Sequence, residues 1–147
     1  MPKDPQPLRE RRDAIVREHM AAENRHDFDA ALAAFAHPRY EIVPTGQVFD
    51  GREQVAAYYT SSRTAFPDQR NEVIALYHAD DAVIVEFRLL GTHRGPLFGI
   101  PATGRAFTCP MIAVFQFDGE QITCERVYFD SAAILRQLGI LPALPSS

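Results

Sequence analysis

Two periodicities divide the chain near Gln69, and this order, helices first and strands after, restricts the fold more than any other feature. Before that point apolar residues recur at helical spacing. Leu8, Ile15, Val16, His19 and Met20 mark a long amphipathic helix from Leu8 to about Asn24, with Arg and Glu on its charged face. Asp27 can cap a second, shorter helix in which Phe28, Leu32 and Phe35 stand at i, i+4 and i+7. That helix ends before His37-Pro38, because proline disfavours a helical residue ahead of it. Tyr40 to Val43 reads as a strand, Pro44-Thr45-Gly46 turns the chain, and Val48-Phe49 returns. Asp50-Gly51 then introduces a third helix carrying Val55, Tyr58, Tyr59, Ser62 and Phe66 on one face.

After Gln69 the chain reads as strands: Asn71 to His78, a tight turn at Ala79-Asp80-Asp81, Ala82 to Gly91, Arg105 to Phe117, and Ile122 to Asp130. A last helix from Ser131 to Gly139 leads into a proline-containing tail. In the strand from Ala82, residues Val83, Val85, Phe87 and Leu89 form one apolar face, while Glu86 and Arg88 mark the other. An α+β fold follows, with a curved antiparallel sheet that packs its apolar face on the helices and leaves the other face to solvent or a subunit contact. The segment from Thr92 to Gly104, rich in Gly and Pro, is the one long irregular connection, a common place for functional residues. No linker or repeat interrupts the pattern, so one domain is expected over residues 8–141, with tails at 1–7 and 142–147.

Bulk properties narrow the function. A net charge of −4, with no basic run beyond Arg9, Arg11 and Arg12, lacks the footprint of a nucleic-acid binder. No apolar stretch approaches the length of a membrane helix, and the polar N-terminus does not read as a secretory signal, so a cytoplasmic protein without membrane association is expected. The five histidines, at 19, 26, 37, 78 and 93, show no ligand spacing with acidic residues, and no metal or cofactor is expected. Phosphate loops, nucleophile elbows and Cys/His nucleophile pairs are missing too.

The last hairpin is the most informative place for chemistry. A turn at Asp118-Gly119 pairs residue 117 with 120 and 109 with 128. This register puts Cys124, Arg126, Tyr128 and Asp130 on the face of Phe107, Cys109, Met111, Ala113 and Phe115. Cys109 and Cys124 are then too far apart for a disulfide, which needs Cα atoms within about 7 Å, and two buried thiols are expected. On that face Asp130 is a candidate general acid or base, because apolar surroundings favour its protonated form, although Arg126 opposes this. Tyr128 can donate to a substrate carbonyl or enolate. The alternative for Asp130 is to cap the helix that begins at Ser131. His93, in the turn-rich stretch Gly91-Thr92-His93-Arg94-Gly95, is a second candidate acid or base, the alternative being a residue that only fixes the loop. Tyr58 and Tyr59 point about 100° apart around their helix, so at most one of them reaches a ligand.

These motifs together carry a resemblance. Asn24-Arg25-His26-Asp27, Phe66-Pro67-Asp68, the stretch from Gly91 to Arg105, the Asp118-Gly119 turn, and Glu125 to Asp130 followed by Ile134 to Gly139 resemble the SnoaL-like polyketide cyclases. This group, also called ester cyclases, lies within the nuclear transport factor 2-like superfamily, and the likeness spans about residues 10 to 141. It implies a cone-shaped α+β barrel, a deep pocket between helices and sheet, and dimers or higher homo-oligomers formed through the outer sheet face. It further implies cofactor-independent acid/base chemistry on a hydrophobic carbonyl compound, such as an intramolecular aldol cyclisation or an isomerisation. The acid/base role falls on Asp130, with Tyr128 and Arg126 polarising the oxygen and His93 in support. Where some members carry His-Trp-Asp on the last strand, this chain has Glu125, Arg126 and Val127. The rival expectation is a non-catalytic protein that binds or carries an apolar ligand.

Overall fold

The computed structural model describes residues 5–145; residues 1–4 and 146–147, the outer parts of the two expected tails, lie outside the described residues. The elements run α1 (Gln6–Asn24), α2 (Phe28–Leu32), β1 (Arg39–Ile42), β2 (Gln47–Asp50), α3 (Arg52–Ala65), β3 (Arg70–His78), β4 (Ala82–Thr92), β5 (Ala106–Asp118), β6 (Gln121–Tyr128) and α4 (Ser131–Gln137). The helix-then-meander order is the one expected. Helix α1 starts two residues earlier than expected and buries Arg12, Val16, His19, Met20, Ala22 and Glu23, a helical stripe that contains titratable groups as well as apolar ones. Asp27 caps α2 by accepting from the Ala30 N–H at 3.2 Å. Phe35 falls beyond that helix and instead forms a parallel bridge with Ile122.

The six strands form one curved sheet in the order β2-β1-β6-β5-β4-β3. Every pairing is antiparallel except β1 with β6, which is parallel. An all-antiparallel sheet was expected. The difference arises because β1 bonds to a strand more than eighty residues later, and no local turn signal announces such a pairing. On β4 the face read from the sequence is the face observed, with Val83, Val85 and Phe87 buried beneath the helices.

The β5–β6 hairpin departs from the expected register in two steps. Its two-residue loop is Gly119-Glu120, with Gly119 at φ 59, so Asp118 faces Gln121 and Phe117 faces Ile122. This shift of two leaves each side chain on its expected face. Gln116 then faces Cys124, so Thr123 is an extra residue, a β-bulge. A shift of one inverts every side chain beyond it. Glu125 and Val127 therefore lie opposite Phe115 and Ala113 on the inner face, and Arg126 and Tyr128 lie opposite Val114 and Ile112 on the outer one. Cys109 and Cys124 remain two free, buried thiols.

Two contacts tie the ends of the sheet to the helices. Arg12, almost wholly buried, donates from Nε to the Gly119 carbonyl at 2.8 Å and from Nη1 to the Asp80 carbonyl at 2.9 Å. It thereby clasps both hairpin turns. At the opposite end the 93–104 loop is zipped at its base, where His93 N–H donates to Arg105 at 2.9 Å and Gly104 N–H to His93 at 2.8 Å. Arg94 N–H docks the loop on Ala65, the last residue of α3.

Candidate functional site

Between the inner sheet face, α3, α4 and the 93–104 loop lies a cavity of about 730 Å³. Its walls include Phe49, Tyr58, Phe66, Phe107, Met111 and Phe129, with Gln54, Ser61 and Gln69 among its few polar members. Among the described residues no Asp, Glu, Lys, Arg or His lines it. Volume and lining match a site for a drug-sized apolar ligand. A second cavity of about 50 Å³, roomy enough for a water, shares Tyr58, Gln69, Leu89, Met111 and Val127 with the first and reaches Glu23, Tyr40, Arg63 and Glu125.

Those last residues belong to a buried polar cluster. His19 and Glu23 stand one turn apart on α1, so they share a face, and Tyr59 and Arg63 do the same on α3. Tyr40 arrives from β1 and Glu125 from β6. His19 donates from Nδ1 to the Ala31 carbonyl at 2.9 Å, since a carbonyl can only accept. This aims Nε2 at the Tyr40 hydroxyl (3.0 Å) and at Glu23 Oε1 (3.3 Å). The Tyr40 hydroxyl also bonds to the Tyr59 hydroxyl and donates to Glu23 Oε2 at 3.5 Å. Arg63 lies over the Phe28 and Tyr59 rings with Nη2 3.8 Å from Glu23 Oε2. Glu125 Oε2 sits 3.9 Å from His19 Nε2, too long for a hydrogen bond, and has no partner among the described residues.

The electrostatics separate the two carboxylates. Burial opposes charge on His19, yet Glu23 and then Glu125 outweigh it and raise its pKa to about 10. Burial likewise pushes Glu23 up, but His19 and Arg63 prevail and hold it below the usual carboxylate range. Glu125 goes the other way: burial and the neighbouring Glu23 charge raise it. Burial also raises Tyr40 and Tyr59. The cluster thus brings together an imidazolium, a guanidinium and two carboxyl groups whose proton affinities are pushed in opposite directions. The donor atoms of His19, Glu23 and Glu125 lie within 4.8 Å of one another and are the set among the described residues able to hold a cation. The His19 proton and Arg63 already supply positive charge there.

The four residues expected to carry chemistry are not brought together. Asp130 was expected on the inner face; its side chain is 65% exposed, accepts from the Ala133 N–H at 3.2 Å as the cap of α4, and lies 3.6 Å from Arg136. Arg126, inverted by the bulge, points outward and donates from Nε to Glu41 at 3.0 Å. Tyr128 is 43% exposed on the same outer face. His93 is buried but accepts at Nδ1 from the Thr103 N–H (3.2 Å), which fixes the loop, and it does not line the large cavity. Of the two adjacent tyrosines, Tyr58 lines the cavity and Tyr59 joins the cluster. The spacing of His19 and Glu23, four apart on a helical stripe, was a legible signal that the expectation of no ligand spacing passed over. Glu125 was hidden by the bulge.

No curated protein matches the chain. Solved structures do: a candidate SnoaL-like polyketide cyclase from Jannaschia sp. CCS1 superposes with a TM-score of 0.81 at 20% identity, over 96% of this chain and 100% of that one. TsrD from Streptomyces laurentii gives 0.77 at 26%, over 90% and 98%. IdmH, a candidate polyketide cyclase from Streptomyces antibioticus, gives 0.75 at 23%, over 87% and 98%. At such identities these structures speak for the fold, the cone-shaped one of the nuclear transport factor 2-like superfamily. The family model for SnoaL-like polyketide cyclases matches residues 14–138, a span that holds the helices, the sheet and the whole buried cluster, and the chain therefore belongs to that family.

Proposed function

We propose that the protein is an acid/base catalyst, independent of any cofactor, acting on an uncharged hydrophobic carbonyl compound, with Glu125 and Glu23 at the reacting end. The observation that carries this reading is a pair of buried carboxyl groups whose surroundings push their proton affinities apart, lining a small cavity that shares walls with the apolar one. Glu125, whose hold on its proton is strengthened by burial and by Glu23, gives that proton to the carbonyl oxygen. Glu23, held ionised by His19 and Arg63, takes the proton from the adjacent carbon through a water in the small cavity. One proton enters the cluster and one leaves, so its net charge is unchanged, and the enol so formed is the nucleophile an aldol closure or an isomerisation needs. Polyketide-like substrates agree with the family and with the aromatic walls.

Exchange of the α-protons of 2-tetralone with deuterated water, followed by NMR, tests the assignment. The protein is expected to accelerate exchange, with Glu125→Gln and Glu23→Gln each reducing the catalysed rate about 10²- to 10⁴-fold. Asp130→Asn, at the helix cap, is expected to leave it within about threefold. Catalysis by Glu125→Gln equal to that of the unaltered protein sinks the assignment. A second reading, a carrier for a neutral apolar ligand, is favoured by the absence, among the described residues, of Asp, Glu, Lys, Arg and His from the walls of the large cavity. It predicts binding of 2-tetralone with no acceleration of exchange.

The outer sheet face supports a homodimer, as in the resemblance. Tyr77, Ile84, Val114, Ile112 and Tyr128 stand in adjoining rows across β3, β4, β5 and β6, with Tyr77 and Tyr128 about half exposed.

A further inference from the structure

Gln69 occupies the junction of the two cavities. It is only 7% exposed, yet its side-chain amide makes no hydrogen bond to any described residue. Its backbone is pinned by an N–H···O bond to Phe66 at 3.0 Å, immediately ahead of β3, so the amide is held at that junction. Tyr58 stands at the same junction, its ring stacked on Phe49 at 4.7 Å, and its hydroxyl also lacks a partner among the described residues. Burial holds the phenol protonated up to about 12, so the hydroxyl is a donor at all ordinary pH. Both side chains line the cavities with their polar atoms unpaired among the described residues, so a ligand or water there completes them. Few, well-placed polar groups in an apolar cavity are what orient a ligand. Among the described residues no Asp, Glu, Lys, Arg or His lines the large cavity, which favours a neutral completing group on that side.

We propose that Tyr58 and Gln69 form a polar neck that receives an oxygen of an uncharged ligand, a ketone or its enol, while the apolar body of the ligand fills the large cavity. This rests on the reading of the cavity as the ligand site, and it assigns Tyr58 and Gln69 as positioning residues that present that oxygen to Glu125 and the adjacent carbon to the water beside Glu23. The hydroxyl O–H and the amide N–H donate to the same carbonyl, and the amide oxygen accepts from an enol O–H.

Two probes of matched shape separate this role from general packing: 2-acetylnaphthalene, which bears the carbonyl, and 2-ethylnaphthalene, which lacks it. Their affinities are measured by fluorescence titration on the unaltered protein and on Gln69→Leu, Tyr58→Phe and Asp130→Asn. The ketone is expected to bind about tenfold more tightly than the hydrocarbon. Gln69→Leu and Tyr58→Phe are each expected to bring that ratio to within about threefold of unity, with hydrocarbon affinity held within about twofold. Asp130→Asn, at the exposed helix cap, is expected to keep the ratio. A ratio unchanged in both neck variants overturns the proposal and leaves the neck to water alone. Loss of both probes together from Tyr58→Phe, the mildest variant, also overturns it, since that is what a packing role gives. Failure of the unaltered protein to bind either probe overturns this proposal together with the reading of the cavity.

Discussion

At the residue scale, the buried polar cluster turns on His19. Its Nδ1–H is tied to a backbone carbonyl and its other nitrogen faces Tyr40 and Glu23, so the imidazole is fixed in one orientation and pressed to stay charged. Its folded pKa, about 10, lies above the ordinary 6.5. The stability it contributes is therefore complete below about pH 6.5 and is lost as pH rises towards 10. Glu125, also raised, works in the same direction from lower pH; Glu23, lowered, contributes stability that is lost in acid. Urea unfolding measured from pH 7 to pH 10 should show a decline of up to about 1.4 kcal/mol per pH unit, the limit for one proton. That slope should be largely absent in His19→Gln. A decline as steep in the variant would place the responsible group elsewhere.

At the scale of elements, the 93–104 loop is positioned by close contact with the end of α3. Gly95 lies so near that a Cβ there would stand 2.2 Å from the Thr64 carbonyl oxygen, a backbone atom with little freedom to retreat. Gly95→Ala should therefore lower stability by about 1–3 kcal/mol, the usual cost of overpacking, read from the urea midpoint. Because Pro96 and Leu97 line the cavity, the same variant should weaken 2-acetylnaphthalene binding. An alanine variant as stable as the parent would show that the loop and α3 can part without cost. The turn chemistry of this segment, with Gly and Pro clustered between β4 and β5, was plain in the sequence. Its docking on Ala65 was not, because that contact joins residues with no shared pattern.

At the scale of the whole molecule, the mixed outer face is the surface available for self-association. Val114→Arg puts a charge in the middle of it, between Ile84 and Arg126. Sedimentation should show the unaltered protein as a dimer and the variant shifted to monomer with its circular dichroism retained; a monomeric parent would refute the homodimer. The amino-acid order by itself determined the helices, the strands, the inward face of β4 and the Asp27 cap, because each depends on spacing within a few residues and on the local preferences of Asp, Gly and Pro. It also held the family likeness. What only the tertiary structure decided was which face of β6 looks inward and which strand lies beside β1. One bulged residue, Thr123, put Glu125 on the inner face where Arg126 and Tyr128 were expected, and so brought a carboxyl into the buried cluster. A bulge depends on how two strands fit their shared neighbours, and the meeting of His19, Tyr40, Tyr59 and Glu125 depends on four elements distant in the chain. Neither leaves a local periodicity to read.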